Sequence, residues 1–176
     1  MKIAIDIGHA AHTGATGNGL DEHEVAASLA RLLASYLENS HEVQIFDFPH
    51  LDNKADYVST VKAINAGKFD LSVSLHCDHD ASPSPHGAHV CYTSYAGKKY
   101  AVDIASHLCP IMPGRADLIV CRPGLYVLKN TNCPAVLVEC GFISNPTDAA
   151  MLAHEPHRIA RAIAAGILEA ASLSRP

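Results

Sequence analysis

Residues 70–76 read Asp-Leu-Ser-Val-Ser-Leu-His. Leu71, Val73 and Leu75 alternate with Ser72, Ser74 and His76, the period of two expected of a strand whose two faces meet different surroundings. One face is apolar enough for a core, and the other closes on a histidine. Working upstream, residues 2–7 (KIAIDI) are a β-rich run broken by Gly8, and residues 14–19 are a glycine-bearing loop. Residues 21–37 keep a helical period through Val25, Leu29, Leu32, Leu33 and Tyr36. A strand over 42–47 and a helix over 55–66 complete the approach to DLSVSLH. Downstream, residues 78–86 carry two prolines and two serines and read as a loop. A strand over 87–93 and a helix over 98–108 follow. Residues 111–124 read as irregular, 125–128 as a short strand, and 134–139 (PAVLVE) as a buried strand. Asn145-Pro146 opens a short helix, and Pro156 starts a last one reaching about Ala171. Strands alternating with helices predict an α/β fold: a mainly parallel, twisted sheet with helices on both faces. No repeat or linker divides it, so residues 1–176 are expected to form one domain.

Composition narrows the function. The chain has 176 residues, 48% hydrophobic and 18% charged, with Lys+Arg 13 against Asp+Glu 18 for a net charge of −5. That apolar content argues against disorder, and a mildly acidic chain without a basic block is a poor partner for nucleic acid. No apolar run approaches the roughly 20 residues of a membrane span. The opening MKIAIDIGH reads as a strand, not a signal peptide. The six cysteines, at 77, 91, 109, 121, 133 and 140, form no C-x-x-C pair. They read as buried thiols, with disulfides left open.

In an open α/β sheet, ligands bind outside the carboxyl ends of the strands. The first strand ends in Asp6-Ile7-Gly8-His9, the third in His76 and the late apolar strand in Glu139. Two histidines and a carboxylate therefore converge on one edge from distant parts of the chain. The first helix adds another acid. Glu24, Ser28, Arg31, Ser35 and Glu38 form its polar stripe, and Glu24 either faces solvent or completes a capping box with Asp21 as N-cap. Glu22 instead heads the stripe Glu22, Val25/Ala26, Leu29, Leu33, Tyr36 that faces the sheet. A charge there needs a positive partner. Two histidines and a glutamate are the ligand set of a catalytic zinc site with an open fourth position. Glu139, at the end of an apolar strand, is the natural general base, since apolar burial raises a carboxyl pKa toward the useful range. Asp6 either orients a ligand or serves a cap or turn. Asn65 is expected as a structural donor at a helix end. His12, His23, His79, His86 and His89 are expected on the surface or in loops, with His79 or His86 bordering the cleft. Cys77 and Cys140 flank site residues but alternate to the opposite face, which weakens a Cys–His thiol hydrolase.

These residues resemble the zinc-dependent N-acetylmuramoyl-L-alanine amidases, the Amidase_3 group of bacterial cell-wall amidases and phage endolysins. The likeness is carried by IDIGHA, GLDEHEVAASLA, INAGKFDLSVSLHCD, GAHVCY and LYVLKNTNCPAVLVECGFISNPTD, and covers nearly the whole chain. It implies a phosphorylase/hydrolase-like amidase fold, with Zn2+ held by His9, Glu22 and His76 and catalysis by Glu139. The implied reaction is hydrolysis of the amide between the lactyl group of N-acetylmuramic acid and L-alanine, on peptidoglycan or a muropeptide, by a monomer. The chain departs from the family at Ile7, Ala10-Ala11, Thr60 and Asp78. Asp78 stands where the family has Asn and is a candidate extra or alternative ligand. The short stretch after His76 leaves no room for the long helix that occludes zinc in autoinhibited members, so an open site is expected. Other readings are an inactive wall-binding or regulatory relative, and a zinc peptidase, although the chain has no H-E-x-x-H. A released lysin, a trimmed exported domain and a cytoplasmic recycling enzyme all fit a chain that starts at its first strand.

Overall fold

A computed structural model describes residues 1–172. In chain order the elements are β1 (Lys2–Ile7), β2 (Thr16–Gly17), β3 (Leu20–Asp21), α1 (Glu22–Leu37), β4 (Glu42–Phe46), α2 (Asn53–Gly67), β5 (Leu71–Asp78) and β6 (His89–Tyr92). They continue with α3 (Tyr95–Leu108), β7 (Ile119–Cys121), α4 (Tyr126–Asn130), β8 (Ala135–Phe142), α5 (Pro146–His154) and α6 (Pro156–Ser172). Six strands form one sheet in the order β4-β1-β5-β8-β6-β7, and β2 and β3 form a small antiparallel ribbon. The first four run parallel; β6 is antiparallel to β8, and β7 parallel to β6. The expected mainly parallel α/β sheet is therefore present.

Alternation sorts the residues onto two unlike faces. Ile3, Ile5 and Ile7 of β1, Leu71, Val73 and Leu75 of β5, and Val136 and Val138 of β8 point to one side. There they pack with Leu29 and Leu33 of α1, Ile104 and Leu108 of α3, and Ile163 and Ile167 of α6 in one continuous core. The other side carries Ala4 and Asp6, Ser72, Ser74 and His76, and Leu137 and Glu139. Among the described residues, two small apolar clusters cover it. One joins Ala4 to Phe46, Ile64 and Phe69, and the other joins Cys91, Ala135 and Leu137 to Leu128 of α4. Helices thus lie on both faces, but α2 and α4 leave the polar end of their face uncovered.

Four expectations change. Residues 125–128 are not a strand: Tyr126–Asn130 is one helical turn. Four apolar residues carry too little period to separate the two, and packing against α2 and β8 decides. The irregular stretch 111–124 contains β7, an edge strand of three residues with Pro123 just beyond it, too short to leave a pattern. Tyr36 is exposed, and Leu37 completes the buried stripe of α1. The 3.6-residue period rotates the stripe toward Leu37, and the tyrosine keeps its hydroxyl in water. Strands β5 and β8 also run beyond His76 and Glu139. These two are register partners in the last regular rung, after which pairing shifts to Asp78 with Phe142. Such bulges bend a strand and re-aim side chains beside sites.

Candidate metal centre and active site

Glu22 is placed by the start of α1. The Asp21 carboxylate caps the helix by accepting from the N–H groups of His23 (3.0 Å) and Glu24 (3.3 Å). Glu22 is thereby turned inward, 3% exposed. One of its oxygens accepts from Cys77 N–H (3.0 Å) and the other from Ala15 N–H (2.8 Å). The same two oxygens face the imidazoles: Oε1 lies 3.1 Å from His76 Nδ1 and Oε2 3.3 Å from His9 Nε2.

His9 follows β1 in a left-handed conformation (φ 63). Before it, Gly8 donates its N–H to Leu75 O at 3.0 Å. A Cβ on Gly8 would lie 2.5 Å from that oxygen and from His76 Cε1. Only glycine lets the end of β1 approach β5 this closely. The two imidazoles meet edge to face, with centroids 4.9 Å apart.

One ligand atom each from His9, Glu22 and His76 lies within 4.8 Å of the others. The group could hold a metal ion, and its electrostatics fit one. Burial alone would raise the Glu22 carboxyl, but hydrogen bonds from His76 and His9 outweigh it and hold it well below the usual carboxylate range. Burial works against a charged His76 as well. Hydrogen bonding to Glu22 and the charge of Glu139 overcome this and push His76 up to about 9. The pocket draws positive charge between two carboxylates, and a divalent cation supplies that charge directly. His9 and His76 keep 24% and 16% of their side chains exposed, so the group is reachable from solvent.

Glu139 stands opposite His76 on β8 and opposite His89 on β6. Its Oε2 is buried without a hydrogen-bond partner among the described residues. Burial pushes its carboxyl up to about 7, with Asp78 and Glu22 acting the same way and His76 opposing. A carboxyl in this range exchanges protons near neutrality. Asp6 is buried and accepts from Ser74 Oγ at 2.6 Å, capping no helix. Burial raises it to about 6. Beside the imidazoles, a cavity of about 310 Å³ is lined by Asp6, Asp56, Tyr57, Leu125, Tyr126 and Leu137 among others.

The remaining candidates separate. Asp78 is outside the three-residue group; its carboxylate lies 3.5 Å from Arg115 Nη1 and 3.4 Å from His89 Nδ1. His12, His79 and His86 are exposed. His23 and His89 are not surface residues. His23 is buried with Nε2 3.0 Å from Asp47, and His89 is 3% exposed on β6. Both sit one residue from an obvious landmark, and sequence periodicity does not report the neighbour that covers them. Asn65 is the expected structural residue, donating to Asn130 O (2.9 Å) and accepting from Asn132 N–H (2.8 Å). Cys77 and Cys140 are buried free thiols on the core side, held by burial well above the usual thiol range. Sequence reasoning gave Arg115 and Asp148 no role, although Asp148 closes the segment that ends in Asn145-Pro146-Thr147-Asp148. Asp148 accepts from Gly87 N–H (2.7 Å) and Phe142 N–H (2.8 Å), tying the end of β8 to the loop before β6.

A mainly parallel α/β sheet with a His–Glu–His group and a buried carboxylate at its edge defines an α/β protein with a candidate mononuclear metal centre. The chain belongs to the Amidase_3 family, N-acetylmuramoyl-L-alanine amidase, whose model matches residues 3–169. The N-acetylmuramoyl-L-alanine amidase LytC of Bacillus subtilis (strain 168) is 33% identical over 155 residues. That match covers 85% of this chain and 31% of the relative, so the chain spans about a third of LytC. Among solved structures, the catalytic domain of the CD27L endolysin, which targets Clostridia difficile, superposes with TM-score 0.87 at 28% identity, covering 96% of this chain and 97% of the other. The catalytic domain of CwlV, the amidase from Bacillus (Paenibacillus) polymyxa var. colistinus, gives 0.86 at 27%, covering 98% and 99%.

Proposed function

We propose that this chain is a zinc-dependent N-acetylmuramoyl-L-alanine amidase that hydrolyses the amide between the lactyl group of N-acetylmuramic acid and L-alanine in peptidoglycan or muropeptides. His9, Glu22 and His76 are the ligands and Glu139 is the catalytic residue. The observation that carries the reading is the juxtaposition of the three donors with Glu139, in register with His76 on the neighbouring strand. Two imidazoles and one carboxylate, with a face open to solvent, suit zinc over metals that prefer all-oxygen or thiolate sets. Bound there, zinc supplies Lewis acidity to the amide carbonyl and to the attacking water.

The residues do the rest. Glu22, braced by Ala15 and Cys77 N–H groups, holds both imidazoles in place and leaves their open side toward the cleft. Glu139 accepts a proton from the attacking water. It then gives that proton to the amide nitrogen as the carbon–nitrogen bond breaks, so the peptide leaves as a neutral amine. Its apolar setting suits both halves of this transfer. The continuous core from β1 to α6 supports one catalytic domain over residues 1–176, acting as a monomer.

The test is digestion of purified cell wall and of a muramyl peptide, with and without a chelator, read by mass spectrometry. Free stem peptide beginning with L-alanine, lost on chelation and restored by zinc, is expected. Cleavage confined to sugar–sugar or peptide–peptide bonds would overturn the reading.

A further inference from the structure

The cleft around His9, His76 and Glu139 has two unlike ends. At one end are the cavity with Tyr57, Leu125 and Tyr126 and the buried carboxylates of Asp6 and Asp56. An anion is repelled there. At the other end Arg115 reaches over the ring of Phe142, three residues beyond Glu139, with the guanidinium 5.7 Å from the ring centroid. Its side chain is 27% exposed. Its ion pair with Asp78 is long at 3.5 Å, where a committed guanidinium–carboxylate pair closes to about 2.7–2.9 Å. This long contact leaves most of the five N–H donors of the Arg115 fork free to meet another oxygen. Arg122, just beyond β7, is hydrogen-bonded to Cys91, and its positive charge is felt at longer range by Asp78 and His89. His89 is buried there with Nδ1 3.4 Å from Asp78, too poorly placed for a hydrogen bond. Burial, with the two arginines acting in the same sense, pushes His89 down to about 4, so it is neutral and adds no competing charge. Arg115 thus faces the Asp78 carboxylate with donors to spare.

Spacing says what fits. Asp78 lies two residues beyond His76 on β5, which is about 7 Å of strand. An extended peptide advances by about the same length over two residues. A peptide that ran from the metal centre along β5 would bring the residue after L-alanine to Arg115. In peptidoglycan stems that residue is a D-isoglutamate, with a free α-carboxylate in some walls and a neutral amide in others.

We propose that Arg115 is the subsite for this carboxylate and makes the chain prefer acid over amidated stems. The proposal rests on the amidase reading above. Asp78 competes with the substrate for the same guanidinium and tempers the preference.

The experiment compares kcat/KM on two muramyl dipeptides that differ only in carboxylate or carboxamide at the second residue. The protein is expected to favour the acid by about 10- to 100-fold, the range of a charge-assisted hydrogen bond. Arg115→Gln should bring the ratio close to one, mainly through KM on the acid substrate, and Arg115→Lys should restore part of it. Asp78→Asn should widen the ratio. A mere structural ion pair predicts otherwise: Arg115→Gln and Asp78→Asn would then lower both substrates together and shift thermal unfolding alike. That result, or equal cleavage of both substrates by the unaltered protein, overturns the subsite and leaves the amidase reading standing. No turnover of either substrate removes both.

Discussion

The two faces of the central sheet are built from the same six strands and serve opposite ends. On the core face, Ile3, Ile5, Leu71, Val73, Leu75 and Val138 are fully buried against α1, α3 and α6. Every side chain there is apolar and contributes chiefly by leaving water. On the other face, the same strands present Asp6, Ser74, His76, Glu139 and His89. Four of these are titratable groups pushed far from their ordinary values by burial and by their charged neighbours. Burying such groups costs stability that the first face must offset. One face makes the fold stable, and the other uses that stability to hold charges where water would otherwise relax them.

Substitutions on the two faces should separate activity from stability. The largest effect is expected at Glu139. Glu139→Gln should lower kcat by about 10²- to 10⁴-fold while metal content, measured on the purified protein, stays as it was; retained turnover would remove Glu139 from the mechanism. Next is Leu33, fully buried on α1. Leu33→Ala should cost about 2–5 kcal/mol in urea unfolding, with kcat per folded molecule retained. Loss of kcat without loss of stability would blur the division between the faces.

Asp148 bridges the two regimes. Asp148→Ala strands the N–H groups of Gly87 and Phe142 and should cost about 2–3 kcal/mol. It should also lower kcat, because the end of β8 is tied through this carboxylate. His89 opposes the carboxyls in the pH dependence of the polar face. Its folded value is lowered from 6.5 to about 4, so between these pH values the unfolded chain binds a proton that the folded chain refuses. Its own contribution should therefore be a loss of stability on the order of 2 kcal/mol as pH drops from 6.5 toward 4, while Asp6 and Glu139, with raised values, favour the folded chain over the same range. His89→Gln should remove that loss and raise the urea midpoint at pH 4.5, relative to pH 7, above that of the unaltered protein. The smallest effect is expected at Asn65, which does not line the cavity beside the imidazoles. Asn65→Ala should cost about 1 kcal/mol and leave kcat alone.

Much of this was legible along the chain. Alternation in DLSVSLH and PAVLVE located both strands and sorted their faces correctly, because a period of two survives any tertiary context that buries one side. The helical stripe put Glu22 inward, since a core-facing helix must aim its first turn at the sheet. Elements too short to show a period were misread or missed, namely α4 and β7. His23 and His89 were assigned to the surface because their type is usually found there. Their burial depends on Asp47 and on strand order, and neither is a local property of the sequence.

The residue pattern along the chain was enough to establish an α/β fold, an apolar sheet face and a polar one, and the convergence of His9, Glu22, His76 and Glu139 on one edge. Each of these follows from periods that recur within ten to twenty residues. Folding in three dimensions settled what no period encodes. It aligned His76 and Glu139 in one rung just before a bulge, set two backbone N–H groups on Glu22, and gathered Asp78, His89 and Arg115 into one corner. Those contacts join segments from separate strands and loops, and their energies depend on distances that arise only when the sheet closes.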